Sequence, residues 1–171
     1  MIKSKAKTYP YVFKRDLPHI QTEGKAYFVT FSTHERWHLP ESVRALVLEH
    51  CLKDHQSKMM LHVMLHAAVV MPDHVHLLFT PLHDLEAKPY SLSEILGGIK
   101  GSSAHSINKG MKRKGNVWQS ESFDHILRND ESMAEKAEYI CNNPVRKGLV
   151  ASVEDYPWLW REWVEDTIIK G

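Results

Sequence analysis

The stretch that decides the fold is Met60–Met71, MLHVMLHAAVVM, followed by Pro72-Asp73 and by His74–Thr80, HVHLLFT. The first run is long and apolar, and the Pro-Asp pair interrupts it as turn residues do. The pattern predicts two strands that lie antiparallel to each other. A helix stays possible for the early part of the first run, because Met and Leu also favour helix.

The segment before this pair predicts a strand and a helix. Ala26–Ser32, AYFVTFS, is rich in β-branched and aromatic residues, as strands are. Pro40 then precedes Glu41–His55, in which apolar residues recur at helical spacing. A proline suits the start of a helix because its missing N–H would have no partner there.

The segment after the pair begins with a predicted helix and a predicted strand. Ser91 and Glu94 match a capping box, which indicates a helix that runs to about Asn108. A basic loop, Gly110–Gly115, separates this helix from a strand at Phe123–Leu127.

A last helix is predicted near the C-terminal end of the motif-bearing region. Asn129 or Asp130 is expected to cap it, and it runs to about Asn142. Pro144 and Gly148 are expected to stop it, because neither residue favours a helix interior.

The order of the predicted elements, β-α-β-β-α-β-α, indicates an α+β fold. The first six elements match the ferredoxin-like, split β-α-β arrangement, an antiparallel sheet with helices on one face, and the seventh is an extra C-terminal helix. Around the domain at residues 26–157 we expect a basic N-terminal arm, residues 1–25, and a packed C-terminal tail, residues 158–171. The three tryptophans of that tail are expected to cover the core.

Composition indicates an ordinary globular protein. The chain has 171 residues, of which 43% are hydrophobic and 25% charged, which suits one compact domain and excludes a disordered chain. The apolar runs are too short for a membrane span, and the basic N-terminus lacks a signal core. The two cysteines form no CxxC pair, so we expect no disulfide framework and a cytoplasmic location.

The charge distribution is more informative than the net charge, which is only +1. Basic residues cluster between Lys3 and Arg15 and again between Lys100 and Lys114. Clusters of this kind form a phosphate-binding surface in some proteins and a plain solvated surface in others. Composition alone leaves both interpretations open.

His74-Val75-His76 is the first chemical motif. In a strand, residues i and i+2 point to the same face, so both imidazoles would project together with Val75 on the other side. Two adjacent imidazoles can bind a divalent metal. The alternative is a pair of polar residues on a solvated strand face.

Tyr139-Ile140-Cys141-Asn142-Asn143-Pro144 is the second chemical motif. Tyr139 and Asn143 are spaced i and i+4, which places them on one face of a helix. An amide oxygen can complete the coordination of a hard metal, and a tyrosine oxygen beside it could attack a phosphate. The alternative is that Tyr139 is a core residue and Asn143 a helix C-terminal residue.

Four blocks occur together in this chain: MPDHVHLLF (Met71–Phe79), SLSEILGGIKG (Ser91–Gly101), VWQSESFDHILRN (Val117–Asn129) and YICNNPVRKGLV (Tyr139–Val150). In this order they resemble the REP-associated tyrosine transposases, which belong to the wider single-tyrosine HUH transposase group of bacterial insertion sequences. The resemblance extends from about residue 26 to residue 156.

The resemblance implies a ferredoxin-like fold with an active site shared by sheet and helix. By position in the motifs, His74 and His76 would be paired metal ligands, Asn143 the third protein ligand, and Tyr139 the nucleophile. The implied cofactor is a divalent metal, Mg²⁺ or Mn²⁺. The implied reaction is cleavage and transfer of single-stranded DNA through a 5′-phosphotyrosine, on hairpins of repetitive extragenic palindromes.

Basic residues in and around these blocks are candidates for contacts with the DNA backbone: Lys100, Lys112, Arg113, Lys114, Arg128 and Arg146. Each could instead be a plain surface charge. Trp118 could stack on a base or lie in the core. Asp73 and His125 are candidates to orient a metal ligand, although each could also have a structural role.

Other functions stay open from the sequence. A domesticated DNA-binding protein would keep the fold with little catalysis, and a metal-dependent phosphodiesterase would use water in place of the tyrosine. An RNA-binding ferredoxin-like module would carry aromatic residues on its central strands, but Phe28 and Phe31 lie on opposite faces. Both a monomer and a homodimer are possible, with Tyr139 acting in its own chain or in its neighbour's site.

Overall fold

The computed structural model describes residues 24–56, 62–128 and 130–162. The strands are β1 (Tyr27–Ser32), β2 (Val63–Val70), β3 (His74–Pro81), β4 (Phe123–Ile126) and β5 (Leu159–Arg161). The helices are α1 (Glu41–Gln56), α2 (Leu92–Met111), α3 (Met133–Cys141) and α4 (Asn143–Arg146), and short 3-10 turns lie at His34–Arg36 and Val153–Asp155.

The strands form one antiparallel sheet in the order β4-β1-β3-β2-β5. Its first four strands have the ferredoxin-like order, so the predicted fold is confirmed. The predicted antiparallel pairing of β2 with β3 is also present, with Val70 opposite Val75 across the Pro72-Asp73 turn. A β-bulge between Leu65 and Ala67 shifts the register of that pair. The strand β5 was not predicted.

Side chains alternate between two separately packed faces of the sheet, as the strand period of two requires. Val29 of β1 and Leu77 of β3 are buried on the face that α1 and α2 cover. Phe28 and Leu78 are buried on the opposite face, where α3 packs through residues such as Ile140. The two helices of the ferredoxin-like unit therefore share one face, and the extra helix covers the other.

The helix α2 begins as the sequence predicts. The Ser91 hydroxyl accepts a hydrogen bond from the Glu94 N–H at 3.1 Å, and the Glu94 carboxylate accepts one from the Ser91 N–H at 2.8 Å. The helix ends at Met111, beyond the predicted Asn108, and Lys112 terminates it in the left-handed conformation with φ 51°. The basic loop therefore starts at Lys112.

The start of α3 differs from the prediction. The helix is capped by Ser132, whose hydroxyl accepts the Glu135 N–H at 3.2 Å, and neither Asn129 nor Asp130 is the cap. A carboxylate outside the helix holds the preceding turn, because Glu131 Oε1 accepts the N–H of Arg128 at 3.2 Å. The helix consequently begins three residues later than the first predicted cap implies.

Pro144 does not stop a helix, contrary to the prediction, but lies in the first turn of α4, where a proline is favoured. The break falls earlier, since α3 ends at Cys141 and Asn142 follows with φ −80° and ψ −3°. Tyr139 and Asn143 therefore lie on two successive helices and not on one continuous helix.

The C-terminal residues that the structure describes join the sheet, because β5 pairs with β2. Trp158 and Trp160 pack against the core as predicted. Trp163 and residues 1–23 of the predicted arm lie outside the described residues. Within the described parts of the chain, no helix is long and apolar enough to cross a membrane.

Candidate active site

A cavity of about 610 Å³ opens on the α3 face of the sheet. Every second residue of β1 contributes to its wall, from Phe28 through Thr30 to Ser32. The other residues in its wall come from β3, β4, the helices α3 and α4, and the loops beside them: Arg36, His74, His76, Gln119, Glu121, Ser122, Phe123, His125, Lys136, Tyr139, Asn143, Arg146 and Lys147. The fold thus brings the two sequence motifs into one cavity.

His74 and His76 project from β3 to the same side, as the HxH spacing predicts. Their Nε2 atoms lie 3.2 Å apart, and their ring centroids lie 4.7 Å apart. Val75 between them is fully buried in the core on the opposite face. His76 also contacts Phe28, with 5.6 Å between the ring centroids, so the pair lies in the wall of a cavity and not on an open strand face.

Each imidazole is held through its other ring nitrogen. Nδ1 of His74 lies 2.6 Å from the Asp73 carboxylate, and Nδ1 of His76 lies 2.7 Å from the Thr30 hydroxyl. An ionised carboxylate can only accept a hydrogen bond, so it fixes the His74 proton on Nδ1. The same tautomer at His76 leaves two Nε2 lone pairs that face each other, which is the arrangement of a metal-binding histidine pair.

The electrostatic environment keeps both rings neutral. Burial lowers the pKa of His76 from 6.5 to about 3, and the positive charges of Arg146, Lys136 and Lys147 add to the effect. Burial also lowers the pKa of His74, and the Asp73 carboxylate opposes this only in part. The neutral imidazole is the form that binds a metal, so both residues are ready to act as ligands at neutral pH.

The donor atoms fit a single divalent ion. Two nitrogens that each lie about 2.1 Å from one ion are about 3 Å apart when they are adjacent ligands, close to the separation of the two Nε2 atoms. Within residues 24–56, 62–128 and 130–162, no cluster of three or more His, Cys, Asp or Glu side chains could hold a metal. A third protein ligand from these residues would therefore be of another residue type.

Asn143, the residue that the sequence motif indicates, places its amide beside His76. It is only 6% exposed, and its Nδ2 lies 2.8 Å from His76 Nε2. Its Oδ1 accepts a hydrogen bond from Arg146 at 3.3 Å. An amide oxygen suits a hard cation, which Mg²⁺ and Mn²⁺ both are.

Tyr139 lines the same cavity and is 54% exposed, so the alternative of a core tyrosine is wrong. The guanidinium of Arg146 lies 3.9 Å from the centroid of the Tyr139 ring, and Lys136 Nζ lies 5.5 Å from it. An accessible hydroxyl, two neutral imidazoles and several cations thus share one cavity. That combination can bind a phosphodiester and attack it.

The comparison with known families agrees with this geometry. A family described as "Transposase IS200 like" matches residues 22–143, which include both histidines, Tyr139 and Asn143. The chain belongs to the IS200-like transposase family. The resemblance inferred from the motifs is therefore confirmed at the level of the family.

Two bacterial relatives are similar to this IS200-like transposase. One is the "REP-associated tyrosine transposase" of Escherichia coli (strain K12), 32% identical over 94 residues, which are 55% of this chain and 52% of the relative. The other, from Haemophilus influenzae, is provisionally described in the same way and is 30% identical over 97 residues, 54% of this chain and 55% of the relative. The matched part of the chain spans about half the length of these relatives.

A solved structure shares the fold of this IS200-like transposase. It is described as a REP-associated tyrosine transposase bound to a REP hairpin, and it superimposes with a TM-score of 0.66 at 22% identity. The match covers 85% of this chain and 82% of that one. At this identity the likeness establishes the common fold.

The six residues predicted to contact DNA do not lie together in the structure of this family member. Arg146 lines the cavity, and the other five residues lie outside its wall. Lys100 donates to the Ser120 carbonyl at 3.3 Å and to the Ser122 hydroxyl at 3.2 Å, so its ammonium binds a loop of the protein itself. Arg113 stacks on Trp37 at 4.3 Å, and Arg128 lies 3.9 Å from the Glu131 carboxylate. Lys112 and Lys114 are exposed after α2.

Three cationic residues in the wall were missed by the sequence analysis: Arg36, Lys136 and Lys147. Lys136 precedes Tyr139 by three positions on α3, and this helical spacing was a usable signal. Arg36 gave no such signal, because its place depends on the turn at His34–Arg36, in which it has φ 56°.

The other candidate residues have clear contacts. Trp118 is a core residue, since it packs edge-on against Phe31 and its indole N–H donates to Ser103 at 3.0 Å. Asp73 contacts His74, as predicted for an orienting residue. His125 lines the cavity, but its Nε2 lies 3.0 Å from the Glu131 carboxylate.

Proposed function

We propose that this chain cleaves and rejoins single-stranded DNA, with Tyr139 as the nucleophile and a divalent metal held by His74, His76 and Asn143. The observation that carries the proposal is the 3.2 Å approach of the two histidine Nε2 atoms in the cavity that Tyr139 lines. Family membership supports the same activity.

The metal would be Mg²⁺ or Mn²⁺. When bound, it would polarise the scissile phosphate and neutralise part of its charge. Asp73 and Thr30 keep the two imidazoles oriented for this role through their Nδ1 atoms. The amide of Asn143 presents its nitrogen to His76, and rotation of the amide by half a turn would present its oxygen to the metal instead.

The proposed reaction is a transesterification, in which one phosphodiester bond is exchanged for another and their number does not change. The Tyr139 oxygen forms a bond to phosphorus while the bond from phosphorus to the 3′ oxygen breaks. The phenol loses its proton, and the departing oxygen takes one up to become a free 3′-OH. The 5′-phosphotyrosine that results can be attacked by another 3′-OH, which rejoins the strand and restores Tyr139. The 5′ polarity follows from the resemblance to the family.

The proposed substrate is a DNA hairpin. The described relatives are REP-associated transposases, and the solved neighbour was bound to a REP hairpin. The cavity offers cations for the phosphates beside the scissile bond in Arg36, Lys136 and Lys147. The exposed residues Lys112 and Lys114 are proposed to contact the backbone farther from the cavity.

A single chain is proposed to form a complete site. Both histidines, Asn143 and Tyr139 line one cavity of the same molecule, which supports cleavage by Tyr139 within its own chain. A monomer would therefore be sufficient for the cleavage step.

The test is the formation of a covalent adduct. The protein is incubated with labelled single-stranded hairpin DNAs and Mn²⁺, and denaturing gels are examined for a protein–DNA species. We expect an adduct that is lost with EDTA, in Tyr139→Phe and in His76→Ala. The matched control is Tyr90→Phe, a tyrosine outside the cavity, which should retain the adduct.

The same experiment separates the alternatives. Nicking that persists in Tyr139→Phe without an adduct would indicate a phosphodiesterase that uses water. Hairpin binding that is equal with and without metal, and that leads to no nicking, would indicate a domesticated DNA-binding protein. An RNA-binding sheet is disfavoured because Phe28 and Phe31 are buried on opposite faces.

A further inference from the structure

Arg146 connects the two helices that carry the candidate nucleophile and the third ligand. Its guanidinium carbon lies 3.9 Å from the centroid of the Tyr139 ring. One terminal nitrogen donates to the Tyr139 carbonyl at 2.9 Å, and the other donates to Asn143 Oδ1 at 3.3 Å. The planar cation therefore contacts the ring and backbone of one residue and the side chain of the other.

The position of Tyr139 explains why such a contact matters. The helix α3 ends at Cys141, so the carbonyl of Tyr139 belongs to its last turn, where helical carbonyls lack partners within the helix. An arginine side chain near a helix C-terminus satisfies such a carbonyl and interacts well with the helix dipole. The exposed ring would otherwise be able to populate several staggered rotamers.

We propose that Arg146 is a positioning residue for the nucleophile, which fixes the Tyr139 ring before DNA binds. This inference rests on the proposed role of Tyr139. It differs from the sequence-based prediction that Arg146 contacts the DNA backbone, because the guanidinium donates to the Tyr139 carbonyl and lies against the Tyr139 ring. A ring that is already oriented brings its oxygen to the phosphorus without first losing rotational freedom.

The neighbouring cations provide a contrast. Lys136 lies 5.5 Å from the Tyr139 ring and also faces Phe28 at 4.7 Å. Lys147 lines the same cavity and is exposed, one residue after Arg146. Lys147→Gln therefore removes one positive charge from the cavity while leaving the contacts of the guanidinium in place, which makes it the matched control for the surroundings of the Tyr139 ring in the DNA-free protein.

The first experiment separates positioning from DNA binding. Arg146→Lys keeps the positive charge but loses the planar guanidinium, which donates through two nitrogens and stacks on the tyrosine ring. With saturating hairpin DNA and Mn²⁺, we expect its rate of adduct formation to fall on the order of tenfold to a hundredfold. Its Kd for the hairpin, measured by fluorescence anisotropy in EDTA, should stay within about twofold of the wild type. The control Lys53→Gln removes one exposed positive charge from α1, outside the cavity wall, and should keep both the Kd and the saturated rate.

Two results would overturn the proposal. One is a wild-type adduct rate in Arg146→Lys, and the other is a rise in Kd that matches the loss of rate. Circular dichroism and Tm establish that each variant is folded. Should Arg146→Lys fail to fold, Arg146→Gln is measured in its place, and a wild-type saturated rate in that variant would equally overturn the proposal.

A second readout does not depend on cleavage. The protein is labelled with 3-fluorotyrosine, and Tyr139→Phe identifies the ¹⁹F resonance of Tyr139 in the absence of DNA and metal. We expect this resonance to move in Arg146→Lys and to stay in place in Lys147→Gln. An unchanged resonance in Arg146→Lys would overturn the positioning role. If the resonance moves in Arg146→Lys while the wild-type protein forms no adduct, only the proposed function is contradicted.

Discussion

Thr30 Oγ1 lies 2.7 Å from His76 Nδ1, across the antiparallel pair that β1 forms with β3. The contact fixes the ring of a candidate ligand from a residue that is distant in sequence. Thr30→Val removes the hydroxyl with little change in shape. We expect it to weaken Mn²⁺ binding by about tenfold to a hundredfold in isothermal titration calorimetry, because orienting partners contribute this much to metal affinity.

The control for this substitution is Thr80→Val. The Thr80 hydroxyl lies 2.9 Å from His66 Nε2, so it forms the same kind of pair away from the cavity. This variant should bind Mn²⁺ as the wild type does. Equal affinity in Thr30→Val and the wild type would show that the hydroxyl has no role in the metal site.

Protonation of His76 should make the metal-free protein sensitive to acid. Burial lowers its pKa from 6.5 to about 3. Between these two pH values, His76 is protonated in the unfolded chain and neutral in the folded chain. The stabilisation is present above about pH 6.5 and is lost progressively as the pH falls toward 3, by an amount on the order of a few kcal/mol. Measurements of Tm from pH 7.5 to 4.5 in EDTA should show this decline.

His76→Gln should show a shallower decline over the same range, because glutamine does not titrate. The comparison variant is His105→Gln, which changes an exposed residue of α2 and should keep the wild-type slope. Identical slopes in His76→Gln and the wild type would mean that other groups cause the acid sensitivity.

Mixing two inactive variants tests whether the site lies in one chain. Tyr139→Phe keeps the proposed metal ligands, and His76→Ala keeps the proposed nucleophile. Since one cavity holds both, we expect the mixture to form no adduct with hairpin DNA. Recovery of an adduct, visible on a denaturing gel, would instead show that Tyr139 acts in a partner's site within a dimer.

Lys100 should contribute to stability and not to DNA binding. Its ammonium donates to Ser120 and Ser122, in the loop that forms one wall of the cavity. Lys100→Met should lower the free energy of unfolding by about 1–3 kcal/mol, since the acceptors lose a charged donor. The slope of log Kd against log salt for hairpin binding should stay unchanged.

Lys112→Gln is the matched comparison, because Lys112 is exposed at the end of α2. This variant should lower the magnitude of the salt slope by about 1 and leave Tm unchanged. If the salt slope of log Kd also falls in Lys100→Met, Lys100 contacts the DNA backbone after all.

Patterns of short range in the sequence predicted most of the fold. Alternation placed His74 and His76 on one face of a strand, and the S-x-x-E pattern of Ser91 and Glu94 placed the start of α2. The same pattern in Ser132 and Glu135 marks the cap of α3, whereas Asn129 and Asp130 have only the residue types that often cap helices.

Contacts between distant elements were not predictable in this way. The pairing of Thr30 with His76 depends on the register of β1 against β3, which no local pattern specifies. The place of Arg36 beside Asp73, at 3.4 Å, depends on a left-handed turn that its sequence does not indicate. The role of Lys100 depends on where a later loop packs. The motifs thus predicted the candidate chemistry, and the packing decided which cations accompany it.

The exposure of Tyr139 has a consequence for how such a gene can evolve. Its side chain is 54% exposed, whereas both cores are built from other, buried residues. A single codon change could therefore silence the proposed cleavage while the folded protein and its cationic surface persist. A lineage with that change would retain a folded protein with the same cationic cavity, so selection could act on binding separately from cleavage.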